Sequence, residues 1–155
     1  RRALGPPAGA YHIWSSAHNP GAREVLEELR RACGYDERAL LLAEGADKMS
    51  AADHVLLYLS HATWADDGDG GERRGALADE VRAALQRGRK LLLLHETDEA
   101  KGGVPFSHFF GEGVTPGELL RLKVYAEIAI PLKPGPYRAV SLGLLERLLS
   151  GATVA

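Results

Sequence analysis

His54-Val-Leu-Leu-Tyr-Leu-Ser60 decides how this 155-residue chain is read. Val55 through Leu59 are apolar without a break, and successive side chains of a strand point to opposite faces. A strand apolar on both faces belongs inside a parallel sheet covered by helices on each side. This segment is therefore predicted to be central and almost fully buried.

The neighbouring segments extend the pattern. Lys90-Leu-Leu-Leu-Leu-His95 is a second apolar run of strand length, and Tyr11-His-Ile-Trp-Ser15 opens the series. Two shorter strands are predicted over residues 39–42 and 128–130. Between strands lie helical patterns. Over residues 22–32, Val25, Leu26 and Leu29 share one face, with Glu24, Glu27, Glu28 and Arg30 off it, and Gly34 is the expected stop. Residues 75–86 carry Leu77, Val81, Ala84 and Leu85 on one stripe. Thr115-Pro-Gly-Glu118 has the form of a capping box that starts a helix. A last helix opens at Pro136 or Tyr137 and repeats Val140, Leu144, Leu145 and Leu148 at helical spacing. Strands alternating with helices make a doubly wound α/β domain. The expectation is a flavodoxin-like three-layer sandwich, its five-stranded parallel sheet ordered 2-1-3-4-5. The connection between strands two and three, residues 44–53, leaves room for at most one helical turn.

Residues 11–150 form the single predicted domain, residues 1–10 a linker or arm, and residues 151–155 a tail. The opening Arg1 predicts a module cut from a longer chain. A net charge of −2 provides no overall basic field, so nucleic acid is not an expected partner. No apolar run approaches the ~20 residues that span a bilayer. Cys33 is the one cysteine, which excludes an internal disulfide framework and fits an intracellular, most readily cytoplasmic, setting.

Open α/β sheets hold ligands outside the carboxyl ends of their strands, near the point where strand order reverses. That rule nominates Ser15, Ser16, His18 and Asn19 after strand one, Ser60, His61, Thr63 and Trp64 after strand three, and His95 and Glu96 after strand four. The histidines come from different loops without paired ligand spacing, so no metal is expected. The turn from Ser15 to Gly21 has neither phosphate-loop pattern and reads better as a helix cap than as a phosphate cradle. Asp66, Asp67, Asp69 and Glu72 do not match a calcium-loop register and read as a solvated loop. Trp64 reads as a lid over the core or a stacking platform at the rim. Glu80 stands on the helix after that acidic loop, where a carboxylate can polarise a sugar hydroxyl or stabilise a cationic transition state.

Taken together, the chain resembles a TIR (Toll/interleukin-1 receptor) domain. The likeness lies in the polar turn and charged helix after the first strand, in Ser60 ending the third, and in Asp79-Glu-Val-Arg-Ala-Ala-Leu-Gln-Arg-Gly-Arg-Lys90 leading into the fourth. Pro105-Phe106 between the fourth strand and a late helix completes it. Residues 52–64 and 125–133 are also similar to C-terminal domains of large algal proteins, which implies a module within a longer chain. The TIR resemblance implies an intracellular interaction and signalling module, with protein partners or self-association and no cofactor. Its alternative implication is an NAD+ glycohydrolase, with NAD+ as substrate, Glu80 as the essential carboxylate, and Ser16, His18, Asn19, His61, Trp64 and His95 around the substrate. Ala76 stands where such enzymes often carry an aromatic. The segment that covers the substrate in the family is cut here to residues 44–53. A nucleotide or flavin binder at the first turn is a third reading.

Overall fold

The computed structural model describes residues 4–151. Five strands form one parallel sheet: β1 (Tyr11–Trp14), β2 (Leu42–Ala43), β3 (Ala52–Leu59), β4 (Leu91–Glu96) and β5 (Ile130–Leu132), in the order β2-β1-β3-β4-β5. The doubly wound α/β arrangement expected from the sequence is the one found. β3 is the centre: Val55 to Leu59 are all buried, and five residues of β3 stand in register with β4, from Val55 opposite Leu91 to Leu59 opposite His95.

Helices cover both faces. On one, α1 (Ala22–Cys33) and α4 (Tyr137–Leu149) pack over Ile13, Leu56, Tyr58 and Leu94. On the other, α2 (Glu72–Gln86) and the short α3 (Gly117–Arg121) pack over Trp14, Leu57, Leu59 and Leu93. Alternate residues of β3 thus serve alternate cores, as its two-sided apolar run requires. The β2–β3 connection is a single 3-10 segment, Ala46–Ala51.

Residues 4–10 are tied down. Ala8 and Gly9 donate their N–H groups to the Asp53 carboxylate at 2.9 and 2.8 Å, and buried His12 donates Nε2–H to the Gly5 carbonyl at 2.8 Å. Gly9 lies so close to the end of that 3-10 segment that a Cβ there would stand 2.4 Å from the Ala51 carbonyl oxygen. Residues 1–3 of the expected arm and residues 152–155 of the expected tail lie outside the described residues.

Several boundaries differ from expectation, each for a physical reason. The second strand, predicted over 39–42, is Leu42–Ala43. Asp36 accepts from the N–H groups of Arg38 and Ala39, both at 2.9 Å, and holds the preceding residues in a turn. The fifth, predicted over 128–130, starts at Ile130, and Ile128 is 94 % exposed. The Leu132 carbonyl accepts from the Thr97 N–H at 3.0 Å and from its hydroxyl at 2.8 Å, which draws the pairing two residues along despite Pro131. The capping box does not form. The Thr115 hydroxyl turns inward to the Phe109 carbonyl and the Tyr125 hydroxyl, and α3 starts behind Pro116 with no side-chain cap. In α4 the inward residues are Ser141, Leu142 and Leu145, whereas Val140 is 63 % exposed. α2 begins at Glu72, three residues earlier than expected, because the acidic loop is not merely solvated. Asp69 accepts from the N–H groups of Gly71 and Arg73, both at 3.0 Å, and Asp66 from Gly68 at 2.9 Å. Those backbone bonds, Arg73 foremost, hold the Asp69 carboxyl below its usual range.

Candidate functional site

The turn after β1 carries the polar group of greatest interest. The Ser16 hydroxyl accepts from the His18 N–H at 2.9 Å, a local bond typical of serine in turns, and donates onward to Glu80 Oε1. The His18 ring meets the same Oε1 at 3.2 Å. A carboxylate only accepts, so Nδ1 bears the proton. Ser16 is buried, the Glu80 side chain is 16 % exposed and the His18 side chain 45 %. Glu80 reaches this point from the third turn of α2. A β1 turn and an α2 carboxylate thereby meet at the carboxyl edge beside the strand-order reversal, where the sheet rule places ligands.

The fold holds this meeting in place with residues that sequence reasoning missed. Arg73, in the first turn of α2, donates to the carbonyls of His18 (2.8 Å), Thr63 (3.1 Å), Ala62 (3.0 Å) and Ala65 (2.9 Å) and pairs with Asp67. One guanidinium therefore binds the β1 turn to the β3 turn. Arg74 does the same for a third loop, donating to Trp64 O at 2.9 Å and Val114 O at 2.8 Å. Cations at a helix N-terminus oppose its dipole. Two adjacent arginines there are a readable sign that carbonyl groups nearby compensate.

The other nominated residues are held elsewhere. Asn19 is buried and spent on β3, donating to the Tyr58 carbonyl at 2.9 Å and accepting from its N–H at 2.8 Å. Trp64 is 4 % exposed; its indole N–H donates to the Tyr125 hydroxyl at 3.0 Å, and its ring packs within the α2-side core instead of standing open at the rim. The His61 N–H donates to the Gly102 carbonyl at 2.8 Å. His95 donates Nε2–H to the Val104 carbonyl at 2.6 Å and meets Phe106 and Phe109 edge-on. Of the nominated set, the structure joins Ser16, His18 and Glu80 through their side chains. Among the described residues no group of three or more His, Cys, Asp or Glu side chains is placed to hold a metal ion.

A second polar network occupies the opposite face of the same edge. Glu96, the last residue of β4, is completely buried. It accepts from the Tyr58 hydroxyl at 2.7 Å, from Arg138 Nη1 at 2.6 Å and from the Asp98 N–H at 3.1 Å. Arg138 also forks onto Glu28 of α1 at 2.9 and 3.0 Å. Burial, with the Glu96 carboxylate beside it, pushes the Tyr58 hydroxyl well above its ordinary range. The Arg138 hydrogen bond holds the Glu28 carboxyl below its own. Tyr58 fits only because residue 21 is glycine: a Cβ there, at a φ of 83°, would stand 2.6 Å from the ring.

No helix among the described residues is long and apolar enough to cross a membrane. No family model matches the sequence, and no curated protein matches it.

Proposed function

We propose that this domain is a TIR-like interaction and signalling module that works as part of a larger protein or assembly, in an intracellular setting. The observation that carries the reading is an apolar groove of about 270 Å³ away from the switch point, lined by Phe110, Leu120, Val124 and Tyr125, with Lys123 at its side. Phe110 is itself exposed, and so is Ile128, three residues after Tyr125 in the loop between α3 and β5. An apolar groove with an exposed phenylalanine in its wall favours a protein surface as its partner, because covering it removes apolar area from water. The flavodoxin-like strand order and the TIR-like sequence features support the same reading. The occupant we favour is a second copy of the domain. Sedimentation velocity from low to high micromolar concentration tests it. Association that Phe110→Asp and Ile128→Asp abolish, with the fold intact by circular dichroism, is the expected result. A chain that stays monomeric throughout and releases nicotinamide from NAD+ overturns it.

A second reading, NAD+ glycohydrolase, is favoured by one specific observation, the Ser16–His18–Glu80 cluster. In such a reaction the ribose C1′–nitrogen bond breaks and nicotinamide leaves with the electron pair. Water adds to C1′ and gives up a proton. A carboxylate beside the ribose stabilises the positive charge that develops on it. Glu80 is the candidate, with Ser16 and His18 orienting it. Water weakens that field unless the site closes. The short β2–β3 connection favours little or no turnover by this chain alone. Nicotinamide release at high protein concentration, wild type against Glu80→Gln, decides the point.

A further inference from the structure

The cleft between α1 and α4 differs in kind from the Glu80 cluster and lies across the sheet from it. Its volume is about 440 Å³, and its walls include Glu24, Glu28, Arg31, Tyr58, Lys101 and Arg138. That volume lies within the ~300–1,000 Å³ of ordinary small-molecule sites. The buried Tyr58–Glu96–Arg138 network fixes its base, so the polar groups there are ordered before any ligand arrives.

The charges divide into two sets. Arg138 is committed, held by Glu28 and Glu96 together. Arg31, Lys101 and Glu24 are exposed and make no side-chain hydrogen bond or ion pair within the described residues. Arg138 contacts Glu28 directly, and Lys101 and Arg31 stand in the same cleft wall and act on that carboxylate through their charge. Among the described residues, an anion entering the cleft therefore finds two cations whose side chains make no hydrogen bond or ion pair. Glu24, one helical turn before Glu28, supplies an acceptor with no donor.

We infer that this cleft is a ligand site for a phosphate monoester bearing hydroxyl groups, the phosphate held by Arg31 and Lys101 and a hydroxyl by Glu24. Phosphate suits the two cations because its oxygens accept charge-assisted hydrogen bonds from several donors at once. A hydroxyl suits Glu24, since a carboxylate can only accept. The inference is independent of both readings of function, because none of these residues belongs to the Glu80 cluster or the Phe110 groove.

Titration calorimetry at low ionic strength, with ribose 5-phosphate and inorganic phosphate as probes, tests it. Ribose 5-phosphate is expected to bind at one saturable site and to weaken as salt rises. Charge reversal by Arg31→Glu with Lys101→Glu is expected to weaken it on the order of tenfold or more, the scale of charge-assisted contacts. Both side chains are exposed, so the fold is not at stake. Glu24→Gln is expected to weaken ribose 5-phosphate while leaving inorganic phosphate unchanged, and Glu80→Gln to leave both unchanged. Absence of saturable binding into the millimolar range overturns the proposal. So does binding that survives the double charge reversal, and so does binding that Glu80→Gln removes, which places the ligand at the other site.

Discussion

Two glutamates stand at the carboxyl edge of this sheet, on opposite faces, and they are treated in opposite ways. Glu96 is sealed from water, with an arginine, a tyrosine hydroxyl and a backbone N–H on its two oxygens. Glu80 keeps some contact with water and is met by a serine hydroxyl and a histidine ring. A carboxylate neutralised by a fixed guanidinium is committed to the fold, since removing either partner strands a buried charge. A carboxylate held by uncharged or titratable donors keeps its charge in reserve for whatever approaches. The partners of a buried acid therefore say more about its role than its position does.

The same substitution on both sides is the most direct way to break this comparison. Glu96→Gln leaves Arg138 with Glu28 as its one carboxylate, and Arg138→Ala leaves Glu96 buried without its cation. Arg138→Ala is expected to cost about 3–5 kcal/mol in urea unfolding. A loss below about 1 kcal/mol, the scale of exposed pairs, means that Glu96 is hydrated or neutral and that the contrast is false.

Arg73→Ala comes next. Its guanidinium ties the Ser16–His18 turn to the β3 turn through four carbonyls. Its removal is expected to cost about 2 kcal/mol, within the range for hydrogen bonds to charged groups. Faster amide hydrogen exchange in residues 15–21 and 61–67 checks that the loss is local. Uniform acceleration across the sheet contradicts a clamping role.

Acid sharpens the contrast more gently. The Glu28 carboxyl has a folded pKa below its ordinary 4.5. Its contribution is therefore complete above that value and is lost as pH falls through the lower folded one. Stability measured from pH 6 downward is expected to decline below about pH 4.5, and Glu28→Gln to flatten that part of the curve. An unchanged slope in the variant assigns the acid sensitivity to other carboxylates.

The smallest expected effect is that of Glu80→Gln, about 1 kcal/mol or less, because the amide oxygen still accepts from Ser16 and His18. A loss of several kcal/mol makes Glu80 a second structural acid and erases the difference between the two faces.

Much of this was legible in advance because the sheet's centre is specified locally. An unbroken apolar run such as Val55–Leu59 has few other uses, and two more strands with helices between them impose the order. The sheet's edges were harder. β2 and β5 are short, and partners distant in sequence set their limits: Asp36 holds a turn before one, and Thr97 captures the other. α4 misled for a related reason, since it carries apolar residues around its circumference and periodicity alone does not select the inner side. At the site, position nominated Ser16 and His18, and Glu80 stood out separately on its helix and through the TIR resemblance; the fold brings the three side chains together. Position also nominated Trp64 and Asn19, although an indole beside Tyr125 and an amide matched to the Tyr58 backbone are better satisfied inside. Arg73 and Arg138 were overlooked because their partners are backbone carbonyls and carboxylates that only the fold assembles.

Pro131 carries a consequence for how copies of this domain can meet. In a parallel strand the N–H and C=O of one residue point to the same side, and the Leu132 carbonyl faces β4. The adjacent Pro131 backbone therefore faces outward, and proline has no N–H to offer there. The opposite border, β2, is two residues long. Neither margin presents the row of free donors and acceptors that templates strand-by-strand growth into fibres. Copies of this domain brought close together therefore find, among the described residues, no sheet border suited to strand pairing.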